Sequence, residues 1–187
     1  VFANGARELL ATGRLRLSEW QLPANIPHVL TGAFAGLFVA PSNENLRFIN
    51  MLLAATTILI FLHFLFFLQI KPARALAGGA GLLACPIFLT MSMSFHADIN
   101  SLLWETLALW LLLAGLRSGS SIHFVWASLF LALFALNRQS CIVAVVGAAC
   151  ILSRQGKFSK KNAAALFAPV GIVFVVFLLW FRFAHGM

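Results

Sequence analysis

The feature that most constrains this sequence is an uninterrupted run of 23 residues, 48–70, without a formally charged side chain. A helix needs about 20 mainly apolar residues to cross the hydrocarbon core of a bilayer. Further apolar segments follow at 75–93, 99–116, 122–136, 140–152 and 163–181. The pattern predicts an all-α, polytopic transmembrane bundle of about six membrane helices, and Pro86 is expected to kink the second of them.

Composition excludes most other classes of protein. Hydrophobic residues make up 61% of the chain and charged residues 10%, whereas a soluble domain carries about 25% charged residues. A soluble globular domain, a disordered chain and a disulfide scaffold are therefore all excluded. The three cysteines form no Cys-x-x-Cys pair and the histidines are not clustered, so neither a metal nor a cofactor is expected.

Residues 1–47 differ from the rest of the chain, because they contain three of its five acidic residues and three of its six prolines. Residues 4–14 can form a short amphipathic helix. Residues 28–39 are apolar but too few to span a bilayer, so they fit an interfacial or re-entrant helix. We therefore expect an extracytoplasmic loop with amphipathic helices at 1–47 and a membrane bundle at 48–187.

The basic residues predict the orientation of the bundle. The net charge is +8, but the basic residues form no stripe with interleaved aromatics, so nucleic acid is not an expected partner. Seven of them lie in alternate gaps between the apolar runs, at 71–74, 117 and 154–161, where no acid occurs. By the positive-inside rule these gaps face the cytoplasm. Residues 1–47, Asp98 and Arg138 then lie on the extracytoplasmic side of a bacterial inner membrane or an endoplasmic reticulum membrane.

Two acidic residues on the third predicted membrane helix are candidates for chemistry. Asp98, the only aspartate, stands at the mouth of this helix. Its position favours an N-cap, and a capping acid at a cleft is also a fixed negative charge, so the two interpretations are compatible. Glu105 follows seven residues later on the same helix face, with Ser101 between them. An acid at this depth is costly against lipid, so Glu105 either makes a structural hydrogen bond or has a functional role.

Arg138 is the candidate cation on the same side of the membrane. It lies in a polar break, Asn137-Arg138-Gln139-Ser140, and a guanidinium matches the oxygens of a phosphate. The alternative is an arginine that anchors the helix at the interface. His28 and Arg47 belong to the same outer layer of the sequence, although a lone histidine is more often structural than catalytic.

Four segments, taken in order, resemble the GT-C superfamily of membrane glycosyltransferases, which use lipid-phosphate-linked sugars. They are residues 5–14 with Trp20 and Pro27-His28, residues 44–50, Phe95-His96-Ala97-Asp98, and Leu136-Asn137-Arg138-Gln139-Ser140. The third and fourth segments are most similar to those of the α-1,2-glucosyltransferases that take glucose from dolichyl-phosphate-glucose. The resemblance covers nearly the whole chain. It rests on the order of the four segments and on their common side of the membrane.

The resemblance implies an enzyme that transfers a hexose, glucose being one candidate, from a polyprenyl-phosphate donor to a glycan or glycolipid acceptor at the membrane. It implies that Asp98 belongs to the active site and that Arg138 faces the lipid-phosphate headgroup, with the same cleft lined by His28, Arg47 and His96. Gln139, beside Arg138, and Glu105, on the helix of Asp98, complete the candidate substrate-binding residues. No cofactor is implied.

One departure from the family pattern leaves other functions open. The acid usually taken as the catalytic base follows the first membrane helix of the family, a position that would fall before Val1. The expectation is therefore a partial chain that lacks this acid. A transporter or flippase segment, with Asp98, Glu105 and Arg138 along its path, is one alternative, and a non-catalytic membrane subunit is another.

Overall fold

The computed structural model describes residues 2–13, 26–138, 141–154, 156 and 159–185, and the secondary structure of this part is entirely helical. The helices are α1 (Phe2–Thr12), α2 (Ile26–Gly36), α3 (Asn43–Phe67), α4 (Pro72–Ala84), α5 (Pro86–Ser92), α6 (Ala97–Ser118), α7 (Ser121–Ala135), α8 (Cys141–Arg154) and α9 (Lys160–His185). The prediction of an all-α protein is confirmed.

Among the described helices, α3, α6 and the Lys160–Leu179 part of α9 are long and apolar enough to cross a membrane. The number rises to four if α4 and α5 together form one bent span. They meet at an angle of 65°, where Pro86 begins α5, so the expected kink is present. α7 has 15 residues, about 22 Å at 1.5 Å per residue, which is short for a span.

Local sequence signals set several helix ends. The hydroxyl of Ser42 accepts a hydrogen bond from the backbone N–H of Asn45 at 3.1 Å and so caps the start of α3. Pro72 and Pro86 stand at the first positions of α4 and α5, where the missing N–H of proline has no cost. α6 ends at Ser118 and is capped by Gly119, whose φ of 71° lies in the left-handed region that glycine adopts readily.

The largest core joins α6, α7, α8 and α9. Its buried residues include Leu112 and Leu116 of α6, Phe124 of α7, Ala148 of α8 and Leu166 of α9. α6 packs along α7, α7 along α9, and α3 against the other side of α6. Outward-facing positions of α3 and α9 carry exposed large apolar side chains, as expected of helices that face lipid.

α1 and α2 pack on each other, and α2 also contacts α3 and α6. The guanidinium of Arg7 donates to the carbonyl oxygen of Pro41 and, at 2.7 Å, to Oδ1 of Asn43, which ties α1 to the start of α3. Gly32 allows a close approach, because a Cβ added there would lie 2.6 Å from Cζ of Phe95. These contacts bring α2 against the turn that precedes α6.

The bundle has two chemically different ends. The start of α3, the end of α5, the start of α6 and the end of α7 meet at one end, which we call the polar end; its defining residues are Asn50, His96, Asp98, Asn100, Asn137 and Arg138. The end of α3 and the end of α6 meet at the other, where Arg117 donates to the carbonyl of Phe67. The last turns of α6 and α8 and the first turns of α9 also share one apolar core, with Leu116, Ile151 and Leu166 among its members. We call this the basic end; its exposed basic residues are Lys71, Arg74, Arg117, Arg154, Lys160 and Lys161.

Candidate functional site

Asp98 lies in the first turn of α6. It is not the N-cap, and that interpretation of the sequence is wrong. The helix begins at Ala97, so His96 occupies the cap position, and His96 makes no side-chain capping bond. The carboxylate of Asp98 still lies in the field of the helix N-terminus, which favours a negative charge. Because the carboxylate of Asp98 does not cap the helix, it can interact with other side chains.

Those partners are Arg138 and His96. The guanidinium of Arg138 forms an ion pair with Oδ1 of Asp98, and Nδ1 of His96 lies 3.1 Å from Oδ2. The side chains of Arg138, His96 and Asp98 are 47%, 36% and 30% exposed. The structure thus brings together three of the predicted site residues, from two separate segments of the chain, in a cluster that a ligand can reach.

The charge state of His96 depends on two opposing neighbours. Partial burial and then the positive charge of Arg138 lower the pKa of His96, although the carboxylate of Asp98 alone would raise it. Because the net direction is downward, the imidazole is neutral at neutral pH. Asp98 and Arg138 are therefore the charged pair of the cluster, and His96 is its polar neighbour.

Asn137, immediately before Arg138, is fully buried against the start of α6. Its Nδ2 donates to the carbonyl oxygen of Ala97 and to Oγ of Ser101, both at 2.9 Å. The hydroxyl of Ser101 in turn donates to the carbonyl of Ala97 at 3.0 Å. Asn137 is thus hydrogen-bonded to the residue before Asp98 and to the residue three positions after it on α6.

His28 lies behind the cluster and is fully buried. Its Nδ1 is 2.9 Å from Nδ2 of Asn100, and its ring stacks on Phe95 with centroids 4.0 Å apart. Burial lowers the pKa of His28 to about 4, against the smaller opposing effect of a hydrogen bond with the backbone of Phe95. His28 therefore joins α2 to α6 as a neutral ring, and it does not open onto the cluster surface.

Asn50 holds the other side of the segment that leads to Asp98. Its Nδ2 donates to the carbonyl oxygens of Met91 at 2.8 Å and Ser94 at 2.5 Å. These carbonyls belong to the C-terminal end of α5 and the turn after it, where helix carbonyls have no intrahelical donor. Asn50 thus satisfies them and fixes the turn that carries His96.

The structure does not bring the other predicted residues into this cluster. Arg47 is exposed on α3 and Glu105 is half-buried on α6, about 10 Å along the helix from Asp98 at 1.5 Å per residue. Within the described residues neither Arg47 nor Glu105 has a hydrogen bond or ion pair. Gln139 lies outside the described residues.

Sequence reasoning missed the three buried asparagines, Asn50, Asn100 and Asn137. Each sits in or beside an apolar helix, and each donates hydrogen bonds to a different part of the segment 91–101 or to the helix packed on it. One feature of the sequence could have identified them: a carboxamide in a membrane segment must form hydrogen bonds inside the protein, because lipid offers none.

Chemically, the cluster offers a carboxylate, a guanidinium and a neutral imidazole at one accessible surface. A guanidinium can bind a phosphate group, and a carboxylate can accept a proton from a hydroxyl. No group of three or more His, Cys, Asp or Glu residues in the described ranges is placed to hold a metal ion. Comparisons of the chain with protein-family models, curated proteins and solved structures gave no match.

Proposed function

We propose that the protein is an integral membrane hexosyltransferase of the GT-C type, which transfers a hexose from a polyprenyl-phosphate donor to a glycan or glycolipid acceptor. The observation that carries the proposal is the accessible Asp98–Arg138 pair at the polar end. The two residue types are those that the transfer requires, and both stand in segments that resemble the family. Glucose is the hexose that the resemblance favours.

The chemistry assigns a separate role to each side chain. In the proposed transfer, the acceptor hydroxyl oxygen bonds to C1 of the sugar while the bond from C1 to the phosphate oxygen breaks. We assign the hydroxyl proton to Asp98, in place of the acid that the family carries after its first membrane helix, and Arg138 stabilises the negative charge of the departing polyprenyl phosphate. Phosphate binding displaces the carboxylate from Arg138, which leaves Asp98 available as the base.

His96 and Arg138 would hold the donor headgroup, since both side chains lie beside Asp98 and are partly exposed, 36% and 47%. Arg47 and Gln139 remain candidates for the wider binding surface. His28 is not part of that surface, because its ring is buried between α2 and α6, and in this scheme it supports the cluster from behind. Asn100 and Asn137, which are fully buried, are structural supports in this scheme.

The proposed topology places the polar end on the extracytoplasmic side and the basic end in the cytoplasm, with α3, α4–α5, α6, α7, α8 and α9 as six crossings and residues 1–47 outside. The exposed basic side chains at one end support this orientation. Cysteines at the exposed positions Ser42 and Ser118 should react with an impermeant maleimide from opposite sides of sealed vesicles, as resolved by peptide mass spectrometry. Labelling of both from one side would contradict the topology.

The transfer itself is tested with the full-length protein in proteoliposomes containing a radiolabelled polyprenyl-phosphate hexose and a lipid-linked glycan acceptor. Asp98→Asn and Arg138→Ala should each lower transfer at least about 100-fold, the range for loss of a base or of a charge-stabilising group. Glu44→Gln and Arg182→Ala, exposed residues of the same charges, should retain it. Unchanged transfer in both site variants would remove the site assignment.

The pH profile of the transfer separates two roles for Asp98. If Asp98 is the base, the acidic limb of the profile should disappear in Asp98→Asn. A residual activity that keeps the same acidic limb would assign the proton transfer to another acid, such as the one that the family places after its first membrane helix. Asp98 would then act only on binding.

A transport function is the second candidate, and Glu105 favours it. This acid lies within a helix long enough to cross the membrane and, in the described part of the chain, has no ion pair. Such acids often mark ion or proton pathways. Proton-coupled uptake that Glu105→Gln abolishes, without any sugar transfer by the wild type, would support transport in place of the transferase.

A further inference from the structure

We infer that Asn137 is a positioning residue. It docks the corner after α7, residues 136–138, onto the first turn of α6, so that the guanidinium of Arg138 contacts Asp98. The effect on sugar transfer rests on the proposed function. The docking itself does not, because it concerns only the contacts within this chain.

The corner is held in two directions. The backbone N–H groups of Asn137 and Arg138 both donate to the carbonyl oxygen of Phe134, at 2.9 and 2.7 Å. These bonds fix the corner relative to α7 but do not set its distance from α6. The side chain of Asn137 sets that distance, because its amide donates to Ala97 and Ser101 of α6.

Asn137 is better suited to this role than the ion pair itself. Arg138 has a long, flexible side chain that is 47% exposed, and an ion pair of such exposure holds its partners weakly. Asn137 has a short side chain, is fully buried, and makes two hydrogen bonds of good length. The position of the Arg138 backbone therefore follows from Asn137, and the ion pair forms where that position allows it.

The contacts also show why the loss of Asn137 need not unfold the bundle. The carbonyl of Ala97 keeps a donor in the hydroxyl of Ser101 at 3.0 Å. The packing of α6 on α7 involves many apolar residues distant from this corner, among them Leu112, Leu116, Phe124 and Leu131. Asn137→Ala should therefore release the corner locally and leave the helices assembled.

The test follows the chemical reactivity of Arg138 in the full chain, purified in detergent, and does not need enzyme activity. Phenylglyoxal modifies free guanidinium groups, and peptide mass spectrometry reports the rate at Arg138 alone. Asn137→Ala should raise this rate about three- to fivefold, the protection that an ion pair of this exposure gives. Asp98→Asn should raise it equally, and the double variant should show no further increase, because both changes break the same contact.

Asn100→Ala is the matched control, since Asn100 is an equally buried asparagine that bonds to His28 and Thr31 of α2. It should leave the rate at Arg138 unchanged. A wild-type rate in Asn137→Ala, with a raised rate in Asp98→Asn, would overturn the inference. So would an equal increase in Asn100→Ala, which would indicate general loosening. If the wild type transfers no sugar while these rates behave as expected, the proposed function fails and the positioning role stands.

Discussion

The polar end and the basic end of the bundle are built on opposite principles. At the polar end, Asn50, Asn100 and Asn137 are completely buried and are joined by hydrogen bonds to turns and helix starts. At the basic end the charged side chains are exposed lysines and arginines. There Arg117 donates to the carbonyl of Phe67 and lies over its ring at 4.1 Å.

The difference shows which end is costly to build. In the part of the chain that the structure describes, the side-chain oxygens of Asn50, Asn100 and Asn137 are buried without a hydrogen-bond partner. Each such group costs about 1–3 kcal/mol. Exposed basic residues have no comparable cost and act mainly through the charge they present. An end that carries this cost and also holds an accessible ion pair is the better candidate for function.

The largest stability effect should come from breaking the buried link between α2 and α6. Asn100→Ala removes the donor to Nδ1 of the buried His28 and leaves a cavity, and these losses exceed the gain from removing the unpaired Oδ1 of Asn100. The docking of α1–α2 should be destabilised by about 2–3 kcal/mol. Hydrogen exchange of residues 26–36 should report the loss. Ser118→Ala at the basic end, an exposed site, should stay within about 0.5 kcal/mol, and an equal loss there would remove the contrast.

Acidification should weaken the same link. The folded pKa of His28 is about 4, below the ordinary value of 6.5, so the unfolded segment binds a proton first as the pH falls. Stability is complete above pH 6.5 and declines between pH 6.5 and 4, with about 2 kcal/mol lost at pH 4.5. The lowered pKa of His96 acts in the same direction.

Hydrogen exchange of α2, measured between pH 7 and 4.5 and corrected for intrinsic rates, tests this dependence. His28→Gln should remove most of it and leave only the smaller contribution of His96. A pH dependence that is identical in wild type and variant would show that the titrating group lies elsewhere.

A single methyl group at the α2–α6 contact should have a smaller effect. The Cβ of Gly32→Ala would lie 2.6 Å from Cζ of Phe95, and displacement of this ring from His28 should cost about 1–2 kcal/mol. Gly81→Ala provides the control, because nothing lies within 4 Å of its added Cβ. Thermal unfolding in detergent should separate the two, and equal midpoints would contradict the close packing at Gly32.

The smallest effect belongs to the basic end. Arg117→Ala loses one hydrogen bond to the carbonyl of Phe67 and a cation–π contact, which together should contribute about 1 kcal/mol at an exposed site. Lys71→Ala, a neighbouring exposed cation, should have no measurable effect on unfolding. Transfer activity should be unchanged in both variants, and a loss in either would show that the basic end also takes part in function.

Sequence alone predicted the periodic part of this structure. The apolar runs located the helices to within a few residues, and Pro86 predicted the bend between α4 and α5, because both signals are local. It predicted about six membrane helices, whereas three described helices, or four with α4–α5 as one span, are long and apolar enough to cross. α7 and α8 are too short for length to decide. The kink and the all-helical class could be predicted because proline geometry and helix periodicity do not depend on tertiary contacts.

The site was predictable only in part, for a related reason. The sequence marked Asp98 and Arg138 because charges are rare in apolar segments, and the structure joins them. It could not show that His28 is buried, since that depends on the contact of α2 with Asn100 and Phe95, far along the chain. The asparagines were overlooked because a neutral carboxamide gives little signal until its partners are known.

The measurement that tests the central claim most directly is a charge exchange between the two members of the ion pair. Asp98→Arg and Arg138→Asp are made singly and together, and sugar transfer and thermal unfolding are followed in parallel. If the pair serves chemistry, each single reversal should lower both stability and transfer. The double exchange should recover part of the stability, limited by the unfavourable helix-end charges, while transfer stays below about 1% of wild type. Recovery of transfer together with stability would show that the pair only holds the fold, and would contradict the account.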